Sequence, residues 1–89
     1  MTFLRPIDVQ KKMKISKTLL YYLINKGLFP KPVKPRHKIA FWEEEEINLI
    51  MQAVYLGTDE EKIKELVNQI EKSRNQNFFQ INPFFKESR

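Results

Sequence analysis

Residues 16–27 constrain the fold more than any other stretch, because both ends of a short helix are marked in them. Ser16 is a favourable N-cap, since its hydroxyl oxygen can accept a hydrogen bond from a free backbone N–H of the first turn. Gly27 is a favourable stop, because the residue after a helix often needs a positive φ that glycine adopts without steric cost. The segment therefore predicts a helix over residues 16–26.

The helical period divides this predicted helix into an apolar face and a polar face. The apolar face carries Leu19, Leu20, Leu23 and Ile24, and the polar face carries Thr18, Tyr21, Tyr22 and Asn25, with Lys17 and Lys26 at its flanks. A helix this short depends on tertiary contacts, so we expect the apolar face to dock on a core and the polar face to point outward. The alternative for Tyr21 is packing into the core at the helix edge. Outward hydroxyl and amide groups suit base edges and phosphates.

Residues 6–13 predict another short helix just before this one. Pro6 is tolerated in the opening turn of a helix, and Asp8 puts a negative charge where the helix dipole favours it. Only a tight turn at residues 14–15 then precedes Ser16. Two short helices joined in this way predict a helix-turn-helix whose second helix reads DNA.

A proline-rich segment predicts a hairpin after the second helix. Pro30, Pro32 and Pro35 favour an extended edge rather than a helix, and residues 38–42 return as a strand. The predicted two-stranded hairpin, or wing, covers residues 33–42. Basic and polar side chains in or beside it can grip phosphates or enter a groove: Lys31, Lys34, Arg36, His37 and Lys38.

Residues 43–56 predict a third helix, because the glutamates at positions 43–46 suit the positive end of a helix dipole. Its apolar positions have helical spacing and are expected to face the core: Ile47, Ile50, Met51 and Val54. Trp42 is expected to anchor the core between the wing and this helix. A metal or acid–base site at the glutamates is the alternative, but consecutive carboxylates point in different directions.

Residues 58–75 predict a fourth helix, which opens after Gly57 with a capping box at residues 58–61. Its apolar stripe is formed by Ile63, Leu66, Val67 and Ile70. The stripe either covers the back of this core or meets its copy in a second molecule, and we expect the first.

Residues 76–89 form an aromatic tail, whose phenylalanines are expected to pack on this core or on another chain: Phe78, Phe79, Phe84 and Phe85.

Length and composition limit the function classes. Eighty-nine residues suit a single domain. A chain without cysteine and with one histidine has no disulfide framework and no evident metal site. Since no nucleophile–base pair or phosphate loop is evident either, we expect neither an enzyme nor a bound cofactor. No apolar run suits a signal peptide or a membrane span, so we expect a cytoplasmic protein with no membrane partner.

The charges separate a basic front from an acidic segment. Residues 1–42 carry ten Lys or Arg against one Asp, a net charge of +9, whereas residues 43–71 carry two Lys against nine acids, a net charge of −7. The remaining residues 72–89 carry +3, which gives +5 overall. This split is typical of a protein that presents one side to a polyanion, and a solvated lysine-rich surface is the alternative.

Residues 3–50 resemble the AlpA family of small phage and prophage regulators, which are winged-helix proteins related to the MerR regulators and to phage excisionases. The matching residues are Phe3-Leu4-Arg5, Ile15-Ser16-Lys17, Leu20-Tyr21, Leu23-Ile24, Gly27, Phe29-Pro30-Lys31-Pro32-Val33-Lys34, Trp42, Glu44 and Glu46-Ile47. The departures are Lys14, Tyr22, the Arg36-His37 pair, Lys38 and Phe41. Lys14 and Phe41 stand where the family usually has glycine, and Tyr22 and Lys38 where it has arginine.

The resemblance implies a mainly α fold with a MerR-like winged helix-turn-helix, and it stops before the C-terminal helix and the tail, which are additions to that fold. The expected parts are a DNA-binding domain at residues 1–57, a helix at 58–75 that packs on it or on a second copy, and the tail at 76–89. It also implies major-groove reading by helix 16–26, wing contacts to backbone or minor groove, and a role in prophage excision or integrase-gene activation. Double-stranded DNA is the expected partner, with self-association on DNA as an option. The alternative function is a protein-interaction module that recruits or inhibits integrase or another regulator through the C-terminal helix and tail.

Overall fold

Helices dominate the structure, with one small sheet between them. A computed structural model of the chain describes residues 2–36 and 38–81, without the side chains of Arg36 and of residues 75–81. Its described elements, in chain order, are β1 (Phe3–Leu4), α1 (Pro6–Met13), α2 (Lys17–Asn25), β2 (Val33–Arg36), β3 (Ile39–Glu43), α3 (Glu44–Tyr55) and α4 (Glu60–Ile81). The mainly helical class is therefore confirmed.

The predicted end signals of α2 are both present. The Ser16 hydroxyl accepts a hydrogen bond from the Leu19 N–H at 3.1 Å. Gly27 has a φ of +78°, and its N–H donates to the Ile24 carbonyl at 3.1 Å. These bonds satisfy backbone groups that a helix end leaves free, so local chemistry accounts for the bounds of α2.

The turn between α1 and α2 contains a strained residue. Lys14 adopts the left-handed conformation, with φ 59° and ψ 46°, and the next N–H, of Ile15, donates to the Gln10 carbonyl at 3.0 Å. Glycine is the residue that this conformation favours, because a Cβ makes it costly by about 1–2 kcal/mol. The turn thus closes tightly but carries a backbone cost at Lys14.

The sheet has three strands, whereas the sequence predicted two. Strand β3 lies in the centre and pairs in antiparallel fashion with β2 on one side and β1 on the other. Leu4 of β1 is opposite Trp42, and the rings of Phe3 and Phe41 lie 4.8 Å apart. A large residue at position 41 therefore has a packing role in this chain, against a strand that the prediction did not include.

Trp42 lies at the centre of the core. It is completely buried, and its indole Nε1–H donates to the Pro30 carbonyl at 2.8 Å. Its ring contacts that of Phe29 edge-on at 5.7 Å. The other buried apolar residues surround this group: Val9, Leu20, Ile47, Ile50, Ile63, Val67 and Ile70. The role predicted for Trp42 is confirmed.

Two residues predicted to face the core do not. Leu19 is 42% exposed, because α2 meets the core through Leu20, with Leu23 and Ile24 half-buried at the margin. Val54 is 56% exposed, because the last turn of α3 extends past the core. In both helices, the apolar face predicted from the helical period is wider than the face that the core buries.

Helix α4 packs on the core of its own chain, as expected. Ile63, Val67 and Ile70 are buried, and the Arg74 guanidinium forms two hydrogen bonds, at 2.8 and 2.9 Å, with the Glu46 carboxylate of α3. The helix continues to Ile81, beyond the predicted end at residue 75. Of the aromatic tail, residues 82–89 and the four phenylalanine side chains lie outside the described residues.

The start of α4 differs slightly from the prediction. The Asp59 carboxylate accepts a hydrogen bond from the Lys62 N–H at 2.9 Å, so the cap is Asp59 rather than Thr58. The Thr58 N–H instead donates to the Ala53 carbonyl at 3.1 Å and belongs to the end of α3. Gly57 has a φ of +75°, as is common just after a helix end, and Thr58 completes that end. The capping pattern had assigned Thr58 to the start of α4 instead.

Replacing Lys14 with glycine is expected to stabilise the protein by roughly 1 kcal/mol, since relief of the left-handed strain exceeds the added entropy of the unfolded chain. Urea denaturation measures the change. The matched control is Lys11→Gly, an exposed lysine inside α1, which should instead destabilise by about 1 kcal/mol. Destabilisation by both substitutions would contradict the strain at Lys14.

Replacing Val67 with alanine is expected to lower the free energy of unfolding by about 2 kcal/mol, because the substitution leaves a cavity under α4. The control Gln69→Ala, at an exposed position of the same helix, should change it by less than about 0.5 kcal/mol. Denaturation of both variants at two protein concentrations should give the same midpoints. Midpoints that rise with concentration would mean that the partner of α4 is a second molecule.

Candidate nucleic-acid interface

The polar face of α2 is open to solvent. Thr18 and Asn25 are exposed, and Tyr22 is 54% exposed. Leu20, on the opposite side of the helix, is completely buried and holds α2 on the core. The structure therefore leaves three of the four predicted base or sugar contacts accessible on one short helix.

The fourth predicted contact, Tyr21, is half-buried and packs against the core. The alternative given for this residue in the sequence analysis therefore holds, because Tyr21 follows Leu20 at the edge of the docked face. Its side chain also lines a cleft beside α2. Tyr21 thus belongs to the wall of the site rather than to its outward face.

Two lysines flank the polar face of α2, as predicted. Lys17 and Lys26 are exposed, and the Lys26 Nζ lies 5.6 Å from the centre of the Tyr22 ring. A cation over an aromatic face is attracted by the ring quadrupole, and at an exposed site the interaction is worth about 0.5–1 kcal/mol. The pair keeps a positive charge and a ring together at the C-terminal end of the helix.

The β2–β3 hairpin carries two of the predicted phosphate contacts, Lys34 and Lys38, and both are exposed. Lys38 has a φ of +69° in the turn between the strands, where no glycine is present. Of the other two predicted residues, the Arg36 side chain and all of His37 lie outside the described residues. The hairpin therefore presents at least two cations near its tip.

Lys31 is not grouped with the hairpin lysines. It is exposed, and its backbone N–H donates to the Glu71 carboxylate of α4 at 2.8 Å. It lines a separate depression of about 260 Å³ between the end of α2 and α4, together with Lys64 and Glu71. With a carboxylate beside it, this depression is less suited to a polyanion than the hairpin is.

A cleft of about 640 Å³ separates α2 from the hairpin. Its lining residues are Arg5, Pro6, Tyr21, Lys34, Pro35, Lys38, Ile39 and Ala40. Three of them are cations and none is acidic. The cleft therefore combines positive charge at its edges with an apolar and aromatic wall.

Arg5 is a charged cleft residue that was not among the predicted DNA contacts. It follows β1, and the pairing of β1 with β3 brings it to the cleft. Its backbone N–H donates to the Asp8 carboxylate at 2.9 Å, and its side chain is exposed. The only sequence signal was its place in the basic front, because the pairing that positions it is not local.

The ion pairs found among the described residues lie away from this cleft. They join Arg74 to Glu46 at 2.8 Å and Lys12 to Glu44 at 3.5 Å. Both carboxylates belong to the first turn of α3. Within the described part of the chain, no ion pair engages the side-chain cations of the cleft, and the Asp8 carboxylate contacts Arg5 only through its backbone N–H.

Comparison with family models, curated proteins and solved structures gives no match for this chain. Among the described residues, no cluster of three or more carboxylate, histidine or cysteine side chains is arranged for a metal ion. Likewise, no helix in the described ranges combines the length and apolar character needed to cross a bilayer. The fold and site define a small, mainly helical domain with an exposed polar helix beside a cationic cleft.

Proposed function

We propose that this protein binds double-stranded DNA in a sequence-specific way, as a winged helix-turn-helix regulator or excisionase-like factor similar to the AlpA family. The observation that carries the proposal is the exposed polar face of α2, with Thr18, Tyr22 and Asn25, together with a basic β2–β3 hairpin that shares a cleft with Tyr21 of the same helix. In this proposal α1 and α2 form the helix-turn-helix and the hairpin is the wing.

The dimensions of α2 suit the major groove. This groove admits an α-helix and displays a different pattern of donors and acceptors for each base pair. The amide of Asn25 has a donor and an acceptor side by side, so it can pair with both groups that adenine shows in the groove. Thr18 and Tyr22 add hydroxyl groups that can bond to bases or to the backbone.

The exposed cations supply the part of binding that does not depend on sequence. Lys17 and Lys26 flank the reading face, and Lys34 and Lys38 extend the positive surface along the hairpin. Lysines in contact with phosphates release counterions, which gives affinity and sets the orientation on the duplex. Most acidic residues belong to the segment 43–71, so the segments proposed to contact DNA carry a net positive charge.

A protein-interaction role is the second candidate, because α3 ends in exposed apolar side chains. Val54, Tyr55 and Leu56 are all more than half exposed, and they are available to integrase or another regulator. The stripe of α4, by contrast, is covered by its own core. This role would accompany DNA binding rather than replace it, since it uses a different surface.

Affinity for duplex DNA is expected to fall steeply as salt rises, because phosphate contacts release counterions. Selection of bound duplexes from random DNA supplies the site, and fluorescence anisotropy over a salt series measures the slope. A chain that binds through four to six cations should show a log–log slope of about −4 to −5. A flat response, or selection of no common sequence, would contradict the proposal.

Replacing Asn25 with alanine is expected to relax discrimination at one base pair by about 1–3 kcal/mol, because its paired contacts with adenine are lost. Binding to the selected duplex and to each single-base variant measures this. Lys34→Ala should instead weaken all sequences alike, and Asn68→Ala on α4 is the matched amide control. An equal loss across all duplexes for Asn25→Ala would exclude base reading by this residue.

A further inference from the structure

The cleft between α2 and the β2–β3 hairpin has the charge and the position of a backbone-binding site. We propose that it holds two successive phosphates of the one DNA strand that separates the major groove from the adjacent minor groove, with Arg5 as its central contact. This inference rests on the proposed function and adds a defined contact outside the reading helix and the hairpin.

The position follows from how a duplex meets these two elements. If α2 lies in the major groove and the hairpin reaches the adjacent minor groove, the strand between the grooves must cross the gap that separates them. That gap is the cleft, since Tyr21 of α2 lines one side and Lys34 and Lys38 of the hairpin line the other. A strand on this path cannot avoid the cleft residues.

The chemistry of the cleft fits a sugar–phosphate chain. Arg5 comes from the segment after β1 and Lys34 and Lys38 from the hairpin, and the three line one space with no acidic residue in its lining. Tyr21, Ile39 and Ala40 supply apolar surface that suits the deoxyribose rings. The cleft, with a volume of about 640 Å³, is larger than a single phosphate group, so it has room for more than one phosphate of a strand.

The backbone of Arg5 is held on both sides. The preceding residue, Leu4, pairs with Trp42 across β1 and β3, and the Arg5 N–H is held by the Asp8 carboxylate at 2.9 Å. A fixed backbone lowers the main-chain entropy that is lost on binding. Its planar group of donors also suits two phosphate oxygens at once. Arg5 is therefore expected to contribute more than either lysine.

The experiment uses the full chain on the duplex obtained by selection, with Arg5→Ala as the main variant. Affinity should fall about tenfold for selected and unrelated duplexes alike, and the log–log salt slope should become shallower by about one. Lys62→Ala on α4 removes the same charge outside the cleft and should change affinity by less than about twofold. Arg5→Lys should keep a large part of the affinity, because it keeps the charge.

A scan of single methylphosphonate substitutions then locates the contact. For the unmodified protein, one or two adjacent neutral phosphates should reproduce the loss seen with Arg5→Ala. At these positions, Arg5→Ala should lose little further affinity, because the contact is already absent. Lys34→Ala and Lys38→Ala should be coupled to the same pair of phosphates or its direct neighbour.

The outcomes separate this inference from the proposed function. Specific DNA binding that Arg5→Ala leaves unchanged, in a variant whose unfolding midpoint matches that of the unmodified protein, overturns the inference alone. Coupling of Arg5 and Lys34 to phosphates on different strands does the same. Failure of the unmodified protein to bind any duplex overturns the proposed function together with it.

Discussion

The buried hydrogen bond from Trp42 to Pro30 is the interaction on which the rest of the structure depends. It joins the central strand of the sheet to the segment that leaves α2, and both residues are completely buried in the core. An indole N–H buried without a partner would cost about 1–3 kcal/mol, so the position of the Pro30 carbonyl is strongly constrained. Because Pro30 lacks an N–H, the segment can turn away from α2 toward β2 without leaving a donor unsatisfied. The bond therefore ties the segment that follows α2 to the central strand of the sheet.

The candidate site is built from several short elements, and each of them depends on the core for support. Helix α2 has nine residues and would be marginal alone, and β1 has only two. Burial of Leu20 and Trp42, together with the pairing of β1 with β3, gives each element a rigid support. Arg5 can then line one cleft with Lys34 and Lys38 although it lies far from them in sequence. Rigid support of this kind favours precise contacts with a ligand of regular geometry.

Local signals made much of the fold predictable, and contacts distant in sequence account for what was missed. The Ser16 cap and the Gly27 stop act within one turn, so the bounds of α2 could be read directly from the residues. Strand β1 was not predicted, because two residues show no period and its pairing with β3 spans most of the domain. Leu19 and Val54 were assigned to the core because a helical period shows direction but not where a core ends. Arg5 was missed as a site residue for the same reason as β1, since its neighbours are set by the sheet.

The two lysines with left-handed backbones add positive charge at the cost of backbone strain. Lys14 and Lys38, at φ values of 59° and 69°, hold conformations in which glycine would be at ease. Glycine at both turns would make the folded state more stable, but it would remove two positive charges from the basic front. Lysine at both turns therefore costs the fold some backbone stability and adds two positive charges to the basic front.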